Sequence, residues 1–156
     1  HRVVPYFDRS EIDSIDPPLA GNELLWAADP VELFFLQIQG SGRILLDDGK
    51  RVMVNYADQN GHPYKSIGKY LIDQNAMTRD QMSMQNIRKW AQQHPDQVGA
   101  LLNQNPSYIF FRELDETVQS PPGALGVPLT PGRSLAVDPR HIPGRTGVCR
   151  NYLAEQ

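Results

Sequence analysis

The sequence predicts an α+β fold, mainly β: a small antiparallel, Greek-key-like β-barrel with a cluster of short helices inserted between strands. Three observations predict it. Apolar residues of period two flank the strong turn signal Asp48-Gly49, where aspartate and glycine tolerate the positive φ of a tight hairpin. Apolar residues at helical spacing are concentrated between Ser66 and Asn105. The aromatic and β-branched run YIFFR then returns the chain to strand character. Strands, then helices, then strands fit an α+β domain better than alternating βαβ units, and short strands with strong turns favour closure into a barrel.

Each element follows from its residues. The first 30 residues are punctuated by proline, with a short helix read after Ser10. Asp29-Pro30 reads as an N-cap followed by proline at the first helical position, where its missing N–H costs nothing, so a turn or two of helix follows. The run LFFLQIQ shifts towards period two and is read as a strand over Phe35–Gln39, ending at Gly40-Ser41-Gly42. Further strands are read at Arg43–Asp47 and Arg51–Ala57. Asn60-Gly61 is by itself a type I′ turn signal.

Ser66 opens the helix SIGKYLIDQ, with Ile67, Leu71 and Tyr70 inward. Thr78-x-x-Gln81 is a capping-box pattern, and Ser83 caps MQNIRKWAQQH, where Ile87, Trp90 and Ala91 recur at helical spacing. Asp96 to Asn105 reads as one more helix, with Val98, Leu101 and Leu102 inward, stopped by Asn105-Pro106. Proline and glycine dominate from Pro121 to Pro131, which reads as an extended connector, and Ser134–Asp138 reads as a final strand.

Composition narrows the function. A chain of 156 residues, 40% hydrophobic, is long enough for one domain with its own core. A net charge of −3 with scattered basic residues gives no electrostatic footprint for nucleic acid. No window approaches the roughly 20 apolar residues of a membrane span. The single cysteine, Cys149, has no internal disulfide partner, and no Cys/His group has zinc-site spacing, so neither metal nor cofactor is expected. Because the chain starts at His1 and not at Met, it reads as a processed product or a fragment.

Two glycine-punctuated polar clusters, QGSG (39–42) and NGHPYKSIG (60–68), flank the hairpin. QGSG lacks the Lys and Ser/Thr of a phosphate loop and precedes no G-x-G-x-x-G helix, so an ordinary turn is its plain reading. The company of the clusters adds another. Gln37, Gln39, Ser41, Asn55, Asn60, His62, Tyr64, Lys65 and Ser66 are neutral or weakly basic hydrogen-bonding groups, interleaved with Tyr56 and Tyr64. Sugar hydroxyls need matched donors and acceptors while the apolar faces of the rings pack on aromatics, and glycines let a polymer approach the backbone. The candidate substrate-binding set is therefore Gln37, Gln39, Gly40, Ser41, Gly42, Tyr56, Asn60, Gly61, His62, Tyr64, Ser66 and Gly68. If the hairpin folds the intervening strands back, both clusters form one lip of a groove.

The blocks QIQGSGRI, VNYADQNGHPYKSIGKYLID, MSMQNIRKW, NPSYIFFRE and GVPLTPGRSLAVDPRHIP resemble, in order and spacing, those of the membrane-bound lytic murein transglycosylase A family. The resemblance covers about Arg9 to Pro143. It implies a double-psi β-barrel that carries aspartates, a second β-barrel domain inserted into it, and glycan strands lying between them. Residues 1–133 correspond to the inserted glycan-binding domain, and 134–156 to the start of the aspartate-bearing barrel, truncated or divergent after Pro143. The implied reaction cleaves the MurNAc-β-1,4-GlcNAc bond of murein without water, closing a 1,6-anhydro ring. One carboxyl group protonates the leaving oxygen and then accepts the proton of the 6-hydroxyl, unlike two-carboxylate hydrolysis. The implied partner is the peptidoglycan glycan strand, and the implied location is the periplasm of a bacterium, at the outer membrane through a lipid anchor outside this chain.

The family's principal aspartate is expected downstream of these residues, so no catalytic residue is assigned. Asp138 matches an earlier aspartate of that barrel and is carried only as a supporting residue, against a competing role in bonding turn amides before Pro139. Asp47-Asp48 reads as turn chemistry, Glu113, Asp115 and Glu116 as a solvated charge run, and His62 as a turn residue that could also donate to a sugar. Trp26 and Trp90 read as core anchors. The alternatives are a stand-alone, non-catalytic peptidoglycan-binding module and a minimal enzyme using Asp138.

Overall fold

The computed structural model describes residues 5–114. In chain order they form α1 (Arg9–Ile12), α2 (Pro30–Gln39), β1 (Ser41–Leu45), β2 (Arg51–Gln59), α3 (Ile67–Asp73), α4 (Met84–Gln93), α5 (Val98–Leu102) and β3 (Ile109–Glu113), with 3-10 turns at Arg79–Gln81 and Pro95–Gln97. The strands make one antiparallel sheet in the order β1-β2-β3. The mixed α+β class holds, but the barrel does not: among the described residues the sheet is three-stranded and open. The expected connector at 121–131, the strand at 134–138, the boundary after residue 133, and Asp115, Glu116 and Asp138 lie outside the described residues.

One missing barrel strand has a clear local cause. Phe35–Gln39 is the second half of α2. Asp29 Oδ1 accepts the N–H groups of Val31 (2.7 Å) and Glu32 (3.3 Å), and Pro30 occupies the first turn. Val31, Phe34 and Phe35 fall at i, i+3 and i+4, so a run that reads as alternating also places its bulk on one helix face. The helix ends on Gly40, whose φ of 79° is the left-handed conformation in which a helix C-cap favours glycine.

Two compact units divide the chain, one of residues 1–41 with 56–112, the other of residues 42–55 with 113–156. The first has a helical core: Val31, Phe34 and Phe35 of α2, Ile67 and Leu71 of α3, Ile87 and Ala91 of α4, and Leu101 and Leu102 of α5 are buried together with Met77. Tyr70, Trp90 and Val98 pack partly buried against it. Complete burial of a side chain such as Phe34 contributes about 2–3 kcal/mol. Caps set the helix starts as the sequence indicates: Ser66 Oγ accepts from Lys69 N–H (3.2 Å), Ser83 Oγ from Asn86 N–H (3.1 Å), and Thr78 and Gln81 form a capping box. α5 is shorter than the sequence indicates, because Pro95–Gln97 tightens into a 3-10 turn before it. Trp26 is no core anchor; it is 85% exposed.

In the second unit, the hairpin turns where Asp48-Gly49 predicts. Gly49 N–H donates to Leu46 O and Leu46 N–H to Lys50 O, both at 2.9 Å, and Gly49 adopts φ 82°. Asp48 Oδ1 accepts the Lys50 N–H (2.9 Å), the turn chemistry expected of that aspartate. Val54, 1% exposed, anchors this stretch of β2. At the end of β2, Gly61 has φ 81° whereas Asn60 does not have a positive φ. A type I′ turn needs both, so Asn60-Gly61 is a strand exit into a loop and not a hairpin turn.

Candidate functional site

Three of the twelve expected sugar contacts are interior. Gln37, 4% exposed, accepts from Arg9 Nη2 at its Oε1 (2.6 Å) and donates from Nε2 to Ile109 O (3.2 Å). Asn60, 2% exposed, donates from Nδ2 to Phe7 O (3.0 Å) and Pro106 O (2.8 Å), and its Oδ1 accepts the Tyr108 N–H (2.9 Å). Their polar atoms are taken up by buried backbone groups and by the Arg9 guanidinium, as burial demands. Gly68 is a packing glycine: a Cβ there would lie 2.5 Å from Met82 Sδ. Gly42 belongs to the hairpin unit and has ordinary strand angles, unlike Gly40.

The remaining residues lie at the surface of the first unit in two groups. Gln39 is exposed at the end of α2, and Gly40 and Ser41 are half-buried. Tyr56, an exposed residue, donates its N–H to Gly40 O (2.6 Å), so the strand that leads into the second cluster is fixed directly to the first cluster. The second group is the loop 61–66. Gly61, Tyr64 and Ser66 are exposed, and His62 is half-buried. His62 Nε2 lies 2.8 Å from Tyr6 O; a carbonyl only accepts, so this contact places the ring proton on Nε2. The Tyr6 N–H donates to Asn60 O (2.8 Å), and the Lys65 N–H donates to Asn105 Oδ1 (3.0 Å). A loop fixed in this way offers a tyrosine ring for stacking and hydroxyl, imidazole and backbone groups for hydrogen bonds, without a large field of either sign.

Sequence reasoning missed the residue that organises this region, Arg9. It is 3% exposed, with its guanidinium between the rings of Phe34 (4.8 Å) and Tyr108 (4.9 Å). Besides Gln37, it donates to Asn105 O from Nε (3.1 Å) and to Ser107 O from Nη2 (2.8 Å). Asp13 Oδ2 is 3.7 Å from Nη1. Burial lowers the pKa of Arg9, and the Asp13 charge opposes that shift. Burial likewise raises the Asp13 carboxyl, against Arg9. It also raises the Tyr108 hydroxyl, with the Asp13 charge pushing the same way. An arginine in a proline-punctuated leader carries no sequence signal of burial; only its partners, nearly a hundred residues away, reveal it.

Among the described residues, the other expected turn and surface carboxylates stand apart from this region. Asp48 pairs with Lys50 Nζ (3.1 Å) at the hairpin, and Glu113 is exposed. Among the described residues no group of three or more His, Cys, Asp or Glu is placed to hold a metal ion, and no helix is long and apolar enough to cross a membrane.

Comparison with known proteins identifies the scaffold. The family model of the MltA specific insert domain matches residues 1–112. The membrane-bound lytic murein transglycosylase A of Escherichia coli K12 is 40% identical over 125 residues, covering 79% of this chain and 34% of that protein. The chain thus spans about a third of the length of the curated relatives it matches. Among solved structures, MltA from Neisseria gonorrhoeae is 47% identical with a TM-score of 0.76, over 88% of this chain and 33% of that one. E. coli MltA with bound chitohexaose is 35% identical with a TM-score of 0.74, over 90% of this chain and 45% of that one. The chain therefore belongs to the MltA specific insert domain family.

Proposed function

We propose that this domain binds the glycan strand of peptidoglycan and presents it for cleavage by a lytic transglycosylase, which breaks MurNAc-β-1,4-GlcNAc bonds and leaves 1,6-anhydromuramic ends. One observation carries the reading: a relative with this scaffold over nine-tenths of the chain holds chitohexaose, a polymer of the sugar that alternates with muramic acid in murein. The proposed contacts are Gln39, Gly40, Ser41 and Tyr56 on one side and Gly61, His62, Tyr64 and Ser66 on the other, arranged as one lip of a groove. Gln37, Asn60 and Gly68 hold that lip from within. The reading places the protein in the bacterial periplasm, associated with the outer membrane as part of a longer polypeptide.

The test is co-sedimentation of the 156-residue chain with purified murein sacculi. Binding is expected to be weak and reversible, and Tyr64→Ala should reduce it several-fold, since loss of an aromatic platform removes about 1 kcal/mol. A chain that stays in the supernatant at every sacculus concentration, or a Tyr64→Ala variant that binds as well as the parent, contradicts the reading.

A further inference from the structure

We propose that Asn105 is the positioning residue of the 61–66 loop and that, by holding the Lys65 amide, it sets the loop's affinity for glycan; this rests on the functional reading above. Asn105 lies forty residues from Lys65, on the turn between α5 and β3, and is 3% exposed. Its Oδ1 accepts two N–H groups, Lys65 at 3.0 Å and Ser107 at 3.2 Å. The next residue, Pro106, supplies a carbonyl to Asn60 Nδ2 (2.8 Å) and to the Arg9 N–H (3.1 Å). The turn 105–107 therefore grips the loop at both ends, Asn60 and Lys65, while Arg9 holds the turn from the core side through Asn105 O and Ser107 O.

The four residues between those grips are Gly61, His62, Pro63 and Tyr64. Tyr64, 55% exposed, immediately precedes the bonded amide, so the direction of its ring depends on where Lys65 N–H is held. A loop fixed beforehand need not be ordered when the sugar arrives, and that saving appears as affinity. The contact uses only the acceptor of Asn105. Its Nδ2 donates to Ser107 O at 3.5 Å, at the limit of a hydrogen bond. Aspartate at 105 keeps the acceptor, with Arg9 close by to balance its charge, whereas leucine keeps the size and removes the acceptor.

The experiment titrates the full chain, Asn105→Leu and Asn105→Asp with chitohexaose and measures hydrogen exchange of the Lys65 amide in each. Asn105→Leu should bind about tenfold more weakly and expose the Lys65 amide to exchange, while Asn105→Asp should stay within about twofold of the parent and keep it protected. A purely structural role would lower the melting temperature and leave the affinity of the folded protein unchanged. Equal affinity of parent and Asn105→Leu, or an Asn105→Asp variant as weak as Asn105→Leu, overturns the assignment alone. A parent chain that does not bind overturns the functional reading and the assignment with it. If Asn105→Leu does not fold, the parent decides through its Lys65 amide: rapid exchange overturns the proposal, and protection supports it.

Discussion

The backbone N–H of Tyr56 donates to the carbonyl oxygen of Gly40 across 2.6 Å, joining the residue that caps α2 to the strand that leads into the 61–66 loop. Gly40 makes this possible because it takes φ 79° at the helix end, turning the chain from α2 into β1. A side chain there is strained whatever room surrounds it, although the nearest atom to an added Cβ, Tyr56 Cβ, is a comfortable 4.0 Å away. Gly40→Val should therefore cost about 1–2 kcal/mol in urea unfolding, as a β-branched residue forced into the left-handed region. Gly42→Val, in ordinary strand geometry, should cost markedly less. Equal costs at the two positions would show that Gly40 is not held in that conformation.

Arg9 ties α1, α2 and the turn before β3 together. Truncation to Ala would leave Gln37 Oε1 and Asn105 O without the arginine donor, and Ser107 O with only the long 3.5 Å contact from Asn105 Nδ2. We expect a loss of about 3 kcal/mol or more in chemical denaturation, and little recovery with Lys, which cannot reproduce the planar fork. A lysine variant with parental stability would show that charge alone, not the fork, is what the site requires.

Asp8 caps α1: its Oδ1 accepts the Glu11 N–H (3.1 Å) and the Ser10 hydroxyl (2.6 Å). Chiefly through the Ser10 bond, its pKa lies below the ordinary 3.8. A depressed folded-state value means that the contribution is present above the unfolded pKa and is lost as pH falls through the folded one. Asp8→Ala should thus cost about 1 kcal/mol near neutrality and progressively less below pH 3.8. A difference between parent and variant that persists unchanged into strong acid would contradict the cap.

The legibility of the chain followed the range of its interactions. Local signals were accurate: Asp29-Pro30, Ser66, Ser83 and Thr78-x-x-Gln81 begin helices, and Asp48-Gly49 turns the hairpin. The error at Phe35–Gln39 arose where a short apolar run satisfies two periods at once, and the capping at its two ends decided for helix. At the candidate site, two interior positions depart from the local reading. Gln37 and Asn60 have the chemistry of sugar ligands, but their partners, Arg9, Pro106 and Tyr108, are distant in sequence and take up those donors and acceptors. Arg9 and Asn105 were invisible for the same reason.

Cleavage is expected to need a carboxyl group beyond those described here. Among the described carboxylates, Asp8, Asp29 and Asp48 each accept backbone N–H groups, and Asp13 pairs with the buried Arg9. The 156-residue chain incubated with murein should release no 1,6-anhydromuropeptides detectable by mass spectrometry. Release at an enzyme-like rate would favour a minimal enzyme.

The most direct test of the glycan-binding account is an NMR titration of the chain with chitohexaose, following backbone amides and tyrosine ring protons. The account predicts fast-exchange shifts confined to residues 39–41, Tyr56 and 61–66, with Gln37 and Asn60 side-chain amides little changed because they stay bonded within the fold. Shifts restricted to distant parts of the domain, or none at millimolar sugar, would contradict it.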